Sequence, residues 1–537
     1  MGWVLVVVLV LPLAAGGFAA VAGSARADLF ARLGVAATVV SAAGAVVLLG
    51  RVAVSGPVSA LWVGGGGHLV VGLAADRLSV VLLLLVCGVS ALVQGFALRY
   101  LAGDPRAWWF VAGTGLLTSA SAGLMTAVTL VGLAACWSVA GAGLLLLLAT
   151  YPQLPAARVG MRRAAAAFLV GDAALWTVVA LATARWGSLD LRGLDVRALP
   201  GASSGLIAVL GCLVVLAALT RSAQIPFQGW LPATLAAPTP VSALLHAGVI
   251  NAGGVLLIRL APLSGGSRLA MGLAFTAGAL TTAYGTALML TKPDVKGALA
   301  HSTMGQMGFM IMTCGLGLYA AAVIHLVTHG LYKAGLFLAS GTAVHTHTAM
   351  AAAPPPPVPS RATRHAITAV SIVGPGLLLG GIVAVLRPTL GGHAGAGALL
   401  VFAWATASAA GLGWLRRRPG PAGLLTALLA LSVALSGYVA LVDAADRWLA
   451  PALRASAAPL PGTAALLLAA AVVLGLLSVV RGGPRTGWQG GLHRRLYVLA
   501  LTAGHVRDTG TPTPTEDRPH EALPAASARA QPAAVGS

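Results

Sequence analysis

The chain holds three lysines, and two of them, Lys292 and Lys296, flank Asp294 in a polar stretch where water solvates them. The third, Lys333, lies deep in an apolar run and closes the segment His325-Leu-Val-Thr-His329-Gly-Leu-Tyr-Lys333. Residues four apart on a helix share nearly the same face, so His325, His329 and Lys333 form one stripe. Eight residues at about 1.5 Å rise give a ladder roughly 12 Å long, a substantial part of a hydrocarbon core of about 30 Å. Imidazoles titrate near neutral pH and a lysine withdrawn from water gives up its proton more easily, so each rung is able to accept and release a proton. The plain alternative is three polar side chains satisfied by neighbouring helices.

A charge in the middle of a membrane helix costs on the order of 3 kcal/mol, so one that is present needs a partner. Asp172, in Phe168-Leu-Val-Gly-Asp172-Ala-Ala-Leu-Trp, is the clearest acidic residue inside an apolar segment, and residue type nominates Arg221 and His246 as its partners. A fixed ion pair that only holds helices together is the alternative role. Between Arg221 and His246 stand Pro226, Pro232, Pro238 and Pro240. Proline interrupts helix hydrogen bonding. Broken backbone at membrane depth survives only where protein or water satisfies it, and transporters build ion sites from such breaks. The segment therefore reads as a broken helix rather than a plain loop.

The elements that must position these groups are membrane helices. Of 537 residues, 58% are hydrophobic and 9% charged, against roughly 25% charged in a soluble domain. Runs of spanning length, about 20 residues, fall near 3–23, 34–54, 78–98, 108–126, 128–150, 164–184, 204–225, 241–261, 269–290, 303–318, 319–343, 367–386, 396–415, 421–442 and 462–480. The expected fold is an all-α polytopic membrane protein with about 14–15 transmembrane helices. The first run has no basic leader, so it reads as a membrane helix and not as a signal peptide.

The net charge of +20 does not point to nucleic acid, because the arginines fall singly or in small groups between apolar runs. With the N-terminus outside, the inner loops collect Arg26, Arg32, Arg99, Arg106, Arg158, Arg162, Arg163, Lys292, Lys296, Arg361, Arg364, Arg416, Arg417, Arg418 and the basic groups from Arg481 to Arg495. That bias predicts a cytoplasmic C-terminus in a cell (inner) membrane protein. The stretch Pro354 to Pro359 reads as a stiff linker, residues 488–501 as an amphipathic segment on lipid head groups or a partner, and 508–537 as a disordered tail. The four cysteines stand alone in different apolar runs, and His345 with His347 is a lone pair in a loop, so no metal or cofactor is expected in this chain.

At these residues the sequence resembles the antiporter-like, proton-translocating subunits of respiratory complex I and of multisubunit sodium/proton antiporters. The resemblance rests on Arg221-Ser-Ala-Gln-Ile-Pro-Phe-Gln-Gly-Trp-Leu-Pro, on Pro238-Thr-Pro-Val-Ser-Ala-Leu-Leu-His246, on Ser302-Thr-Met-Gly-Gln-Met-Gly and on His325 to Ser340. It implies an inverted-repeat bundle with a broken helix and a degenerate second half: N-terminal helices in 1–105, a first repeat in 106–261, a second in 262–445, and the last helix with the inner-surface segment in 446–507. The run His246-Ala-Gly-Val-Ile-Asn251 through Arg259, with the chain's sole asparagine, and the ending Leu496-Tyr-Val-Leu-Ala-Leu are similar to the membrane subunit of DAB-type inorganic carbon transporters. That likeness implies a non-enzymatic, ion-conducting subunit with a soluble, zinc-dependent DabA-like partner on the cytoplasmic side, where any catalysis would occur. A complex I-like NADH-quinone oxidoreductase subunit and a Na+/H+ antiporter subunit stay as alternatives. The complex I pattern is departed from at Ser138, where a glutamate follows the tryptophan, at Arg221 in place of a lysine, and beyond Lys333, where no lysine remains.

Overall fold

The computed structural model describes residues 1–63, 69–292, 294–340, 360–386 and 396–453. The expected span near 462–480, the Pro354–Pro359 linker, His345 and His347, the segment 488–501 and the tail from 508 lie outside the described residues.

The chain forms α1 (Gly2–Ala22), α2 (Ala27–Ser55), β1 (Val58–Val63), β2 (Leu69–Ala75), α3 (Arg77–Tyr100), α4 (Ala107–Thr126), α5 (Leu130–Leu148), α6 (Pro155–Trp186) and α7 (Ser204–Arg221). There follow α8 (Thr239–Ala247), α9 (Ala252–Arg259), the one-turn α10 (Ala261–Ser264), α11 (Arg268–Met289), α12 (Val295–Gly315), α13 (Tyr319–Leu338) and, after the undescribed stretch, α14 (Arg361–Leu386), α15 (Ala396–Arg417) and α16 (Pro421–Leu449). Among the described residues, ten helical runs are long and apolar enough to cross a bilayer, α1 and α2 counting as one run from Gly2 to Ser55. The protein is a multi-pass helical membrane protein.

Without a hydrophobic drive between helices in lipid, close association depends on small residues that let backbones meet. Helices α1 and α4 show this. A Cβ on Gly115 would lie 2.3 Å from the Pro12 carbonyl oxygen, so only glycine permits this crossing. Large apolar side chains cover the outside instead: Leu331 and Tyr332 on α13 are 52% and 59% exposed, while His329 and Lys333 on the same helix turn inward.

Two features differ from the sequence reading. Between the expected spans near 34–54 and 78–98, residues 58–63 and 69–75 pair as antiparallel strands with Val58 opposite Ala75. The hairpin is continued by backbone bonds from Val128 N to the Gly72 carbonyl, from Leu191 N to Val128 and from Leu130 N to Leu189. These bonds satisfy the backbone where the chain leaves α4 and enters α5. Asp76 then caps α3, accepting from the Ser79 amide and hydroxyl at 2.8 Å each. The second difference is helix length. Helix α12 starts at Val295 and not near 303, because the Asp294 carboxylate accepts the Gly297 amide and caps a turn that hydropathy alone leaves polar.

Candidate functional site

The stripe on α13 faces the protein interior. Lys333 is 1% exposed and His329 4%. His325 is half-buried with its Nε2 shielded, and its ring stacks on His329 at 5.7 Å between centroids. Helix α12 supplies the facing surface. Lys333 Nζ donates to the Leu299 carbonyl at 3.2 Å and to the Ser302 hydroxyl, and His329 Nδ1 meets Gln306 Oε1 at 2.8 Å. Ser302 and Gln306 are four apart and so sit on one face of α12, in register with the α13 stripe. Phe309, one turn on, packs against His325 at 5.2 Å.

Helix α8 adds the third wall. His246 is 1% exposed, its Nδ1 lies 3.1 Å from Thr303 Oγ1, and its ring stacks flat on Phe337 at 4.2 Å. Four titratable groups from α8 and α13 therefore share one seam, lined from α12 by Ser302, Thr303 and Gln306.

A second cluster surrounds Asp172. Its carboxylate pairs with Arg221 Nη2 at 3.1 Å, with Asp172 24% and Arg221 1% exposed. The guanidinium lies between the faces of Trp137 and Phe168, 4.4 and 4.2 Å from the ring centroids. It fits because residue 141 lacks a side chain: a Cβ there would come within 2.8 Å of both terminal guanidinium nitrogens. Of the two partners nominated for Asp172, Arg221 is the one it meets; His246 is occupied by Thr303 and Phe337. Ser138, at the glutamate position of the resembling family, accepts the Trp176 indole at 3.1 Å.

The prolines lie in an irregular connection between α7 and α8, where Pro232 opens a short 3-10 turn and Pro238 and Pro240 lead into α8. Pro226 is exposed, whereas the other three are buried. Proline suits these starting positions because its missing N–H would be unpaired there anyway. The connection is pinned by Trp230 Nε1 donating to the Thr220 carbonyl at 2.9 Å and by the Ile225 amide donating to Thr281 at 3.0 Å. A second interruption, which no proline marks, separates α8 from α9 at Gly248 and passes through a 3-10 turn to Asn251. Ser222 Oγ donates to the Ile250 carbonyl at 2.7 Å, and Asn251 Nδ2 to the Ala247 carbonyl at 2.8 Å, so side chains replace the lost helix bonds. At the far end of α9, Arg259 donates to the Ala127 carbonyl at 2.5 Å and lies 3.8 Å from Asp76, tying the span to the hairpin.

No group of three or more His, Cys, Asp or Glu residues able to hold a metal occurs among the described residues.

Residues 127–353 match the family model described as "NADH:quinone oxidoreductase/Mrp antiporter, TM", and residues 62–111 match "NADH-Ubiquinone oxidoreductase (complex I), chain 5 N-terminus". The matched residues are thus similar to the membrane domains of that family. The chain's relatives include "Probable inorganic carbon transporter subunit DabB1" of Halothiobacillus neapolitanus, 39% identical over 281 residues, which are 51% of this chain and 50% of that one. "NADH-quinone oxidoreductase subunit L" of Mycobacterium tuberculosis is 36% identical over 288 residues, 53% of this chain and 45% of that one. The corresponding DabB of Bacillus subtilis is 35% identical over 281 residues, covering 51% and 54%. The chain thus spans about half the length of the curated relatives it matches. The antiporter-like fold extends further: the Mrp complex from Dietzia sp. DQ12-45-1b superposes with a TM-score of 0.63 at 24% identity, over 92% of this chain and 59% of that chain. An archaeal membrane-bound sulfane sulfur reductase gives 0.57 at 17% identity, over 93% and 97%.

Proposed function

We propose that this chain is the cation-conducting membrane subunit of an inorganic carbon uptake complex. Downhill entry of a proton or sodium ion energises hydration of carbon dioxide by a soluble, zinc-dependent, carbonic-anhydrase-like partner on the cytoplasmic side. One observation carries the conducting role: the amine of Lys333 is held by uncharged oxygens, the Leu299 carbonyl and the Ser302 hydroxyl. A lysine fixed by a carboxylate keeps its proton, whereas one held by neutral acceptors exchanges it with neighbours at little electrostatic cost. His329 and His246 are those neighbours. The likeness to proteins named as inorganic carbon transporter subunits supports the carbon reading.

A second reading, a proton-translocating subunit of a complex I-like dehydrogenase, is favoured by the likeness to subunit L. Ser138 at the position of that family's buried glutamate counts against it. In both readings the arginine-rich loops and the C-terminus face the cytoplasm.

The test is Lys333→Ala in a host that depends on this chain and its partner for bicarbonate. Accumulation should be lost while the protein stays in the membrane, and normal accumulation would refute conduction through Lys333. Purification from native membranes with metal analysis separates the readings: a soluble zinc protein supports carbon uptake, and flavin and iron–sulfur subunits support the dehydrogenase.

A further inference from the structure

Helix α6 is longer than a bilayer core requires. Its 32 residues, Pro155–Trp186, extend about 48 Å, against a hydrocarbon core of about 30 Å. The stretch from Ala164 to Ala184, with Asp172 as its one charged residue, covers about 31 Å and spans that core by itself. The first turns of the helix therefore stand at and beyond the boundary of the core, and they carry Arg158, Arg162 and Arg163. All three are exposed. Seven residues make nearly two full turns, so Arg162, Leu169 and Trp176 fall in one line along the helix, and Arg163 and Val170 in a second line beside it. Arg158, four residues before Arg162, extends the first line. Leu169, Val170 and Trp176 are 68%, 42% and 40% exposed, and a contiguous exposed apolar stripe on a membrane protein is its contact with acyl chains. The arginines thus continue the lipid-facing stripe of α6.

The neighbouring turn marks the same depth. Residues 99–106, between α3 and α4, are tied to the turn before α6: Arg106 Nη1 donates to the Thr150 carbonyl at 2.9 Å, and the Tyr151 hydroxyl donates to Asp104. Beside them stand Tyr100, 48% exposed, and Trp109, whose indole N–H donates to the Leu146 carbonyl at 2.7 Å. Tyrosine and tryptophan concentrate at the head-group level of a bilayer. Residues 99–106 and 149–163 hold five arginines and one acid, Asp104, which already accepts from Tyr151 and from the Arg106 amide. Arg99, Arg158, Arg162 and Arg163 are paired with no carboxylate among the described residues.

We propose that this end of α6 binds an anionic phospholipid of the inner leaflet, its phosphate on Arg158, Arg162 and Arg163 and its acyl chains along Leu169, Val170 and Trp176. The guanidinium groups suit a phosphate because each donates in a planar fork. Two features choose a lipid over a soluble anion or an acidic protein. The arginines run on into an apolar stripe, which a molecule with a charged head and apolar tails matches from end to end, and the aromatic groups beside them sit at head-group depth. The positive-inside bias places this end of the helix in the cytoplasm, where anionic lipids give the membrane surface its negative potential. The site stands apart from the Lys333 seam and does not depend on which ion is conducted.

The test is the binding of tail-labelled fluorescent phosphatidylglycerol to the full chain with its co-purifying subunits in neutral detergent micelles, with the matching phosphatidylcholine as the control. Each cation near a membrane surface strengthens anionic-lipid binding by about fivefold, so the wild type should bind phosphatidylglycerol more tightly than phosphatidylcholine by about tenfold or more. Arg158→Gln/Arg162→Gln/Arg163→Gln should remove that preference, and exposed side chains can be exchanged in this way without loss of the fold. Arg185→Gln, at the other end of the same helix, should keep it. Three results overturn the site: an undiminished preference in the triple variant, an equal loss in Arg185→Gln, or displacement of the labelled lipid by glycerophosphoglycerol, the head group without tails, at the same concentration as by the lipid. A preference seen only after the co-purifying subunits are stripped away also overturns it, since the arginines would then belong to an acidic protein surface.

Discussion

Removing the charge of Asp172 separates the two forces that hold the buried guanidinium of Arg221. Taking away one partner of a fully buried ion pair costs about 3–5 kcal/mol, because the other charge is left without compensation. Two features of this site lower that figure. Asp172 is 24% exposed, so water screens the pair from one side. Trp137 and Phe168 also stay at 4.4 and 4.2 Å from the cation, and a desolvated cation–π contact is worth up to about 2 kcal/mol. The expected cost of Asp172→Asn is therefore about 2 kcal/mol, well above the usual surface substitution. Arg221→Met removes the buried charge and keeps much of the side-chain volume between the rings. The double variant Asp172→Asn/Arg221→Met should consequently be more stable than the sum of the single losses predicts, by about 1–2 kcal/mol of coupling. The assay is reversible unfolding in mixed micelles, followed by helix content, for the four proteins of the cycle. Strict additivity would refute the reasoning, since it would mean that rings and shape hold Arg221 with no help from the carboxylate.

Further expectations concern single contacts. Gly141→Val should expel the guanidinium from its slot and destabilise the fold by about 2–4 kcal/mol through overpacking and the stranded charge, whereas unchanged unfolding would show that the helices shift freely. Gln306→Leu leaves His329 Nδ1 unpaired, so vesicle proton entry should fall by about tenfold for a loss near 1.4 kcal/mol, and wild-type entry would show that Gln306 does not orient the ring. Tyr151 lies between α5 and α6, where burial and then its hydrogen bond to Asp104 push its pKa up to about 12. The folded state holds this proton more tightly than the unfolded chain, near pKa 10. Its stabilisation is thus complete below pH 10 and lost as pH rises through about 12. A thermal-shift series should show that decline in the wild type and a weaker one in Tyr151→Phe.

What the sequence reveals of the site depends on whether the signal is local. The stripe from His325 to Lys333 is legible because polar residues at helical spacing in an apolar run leave one face for them, and that face is buried. The Asp172–Arg221 pair is legible because so few charges lie in apolar runs that they must find one another. Which of two candidates pairs with Asp172 is settled by packing between distant elements, through the slot at Gly141 and the rings of Trp137 and Phe168. The facing residues Ser302 and Gln306 on α12 carry the same four-residue spacing, but hydropathy marks a span only from about 303 and so divides the pattern. The break at Gly248 carries no proline, and its signal is the glycine followed by the sole asparagine. The hairpin escaped a reading tuned to helices, since its strands are shorter than any span.

The hairpin has a mechanical consequence. Backbone bonds weld residue 72 to 128, 128 to 191 and 130 to 189, so the adjoining ends of α3, α4, α5 and α6 are laced into a stiff collar. Arg259 fastens the tip of α9 to the same collar. Between Gly248 and Asn251, by contrast, two side-chain bonds stand in for a helix ladder. If the proposed conducting role involves bending, the collar is the part built to stay fixed and the interruption beside His246 the part with the fewest backbone bonds to break.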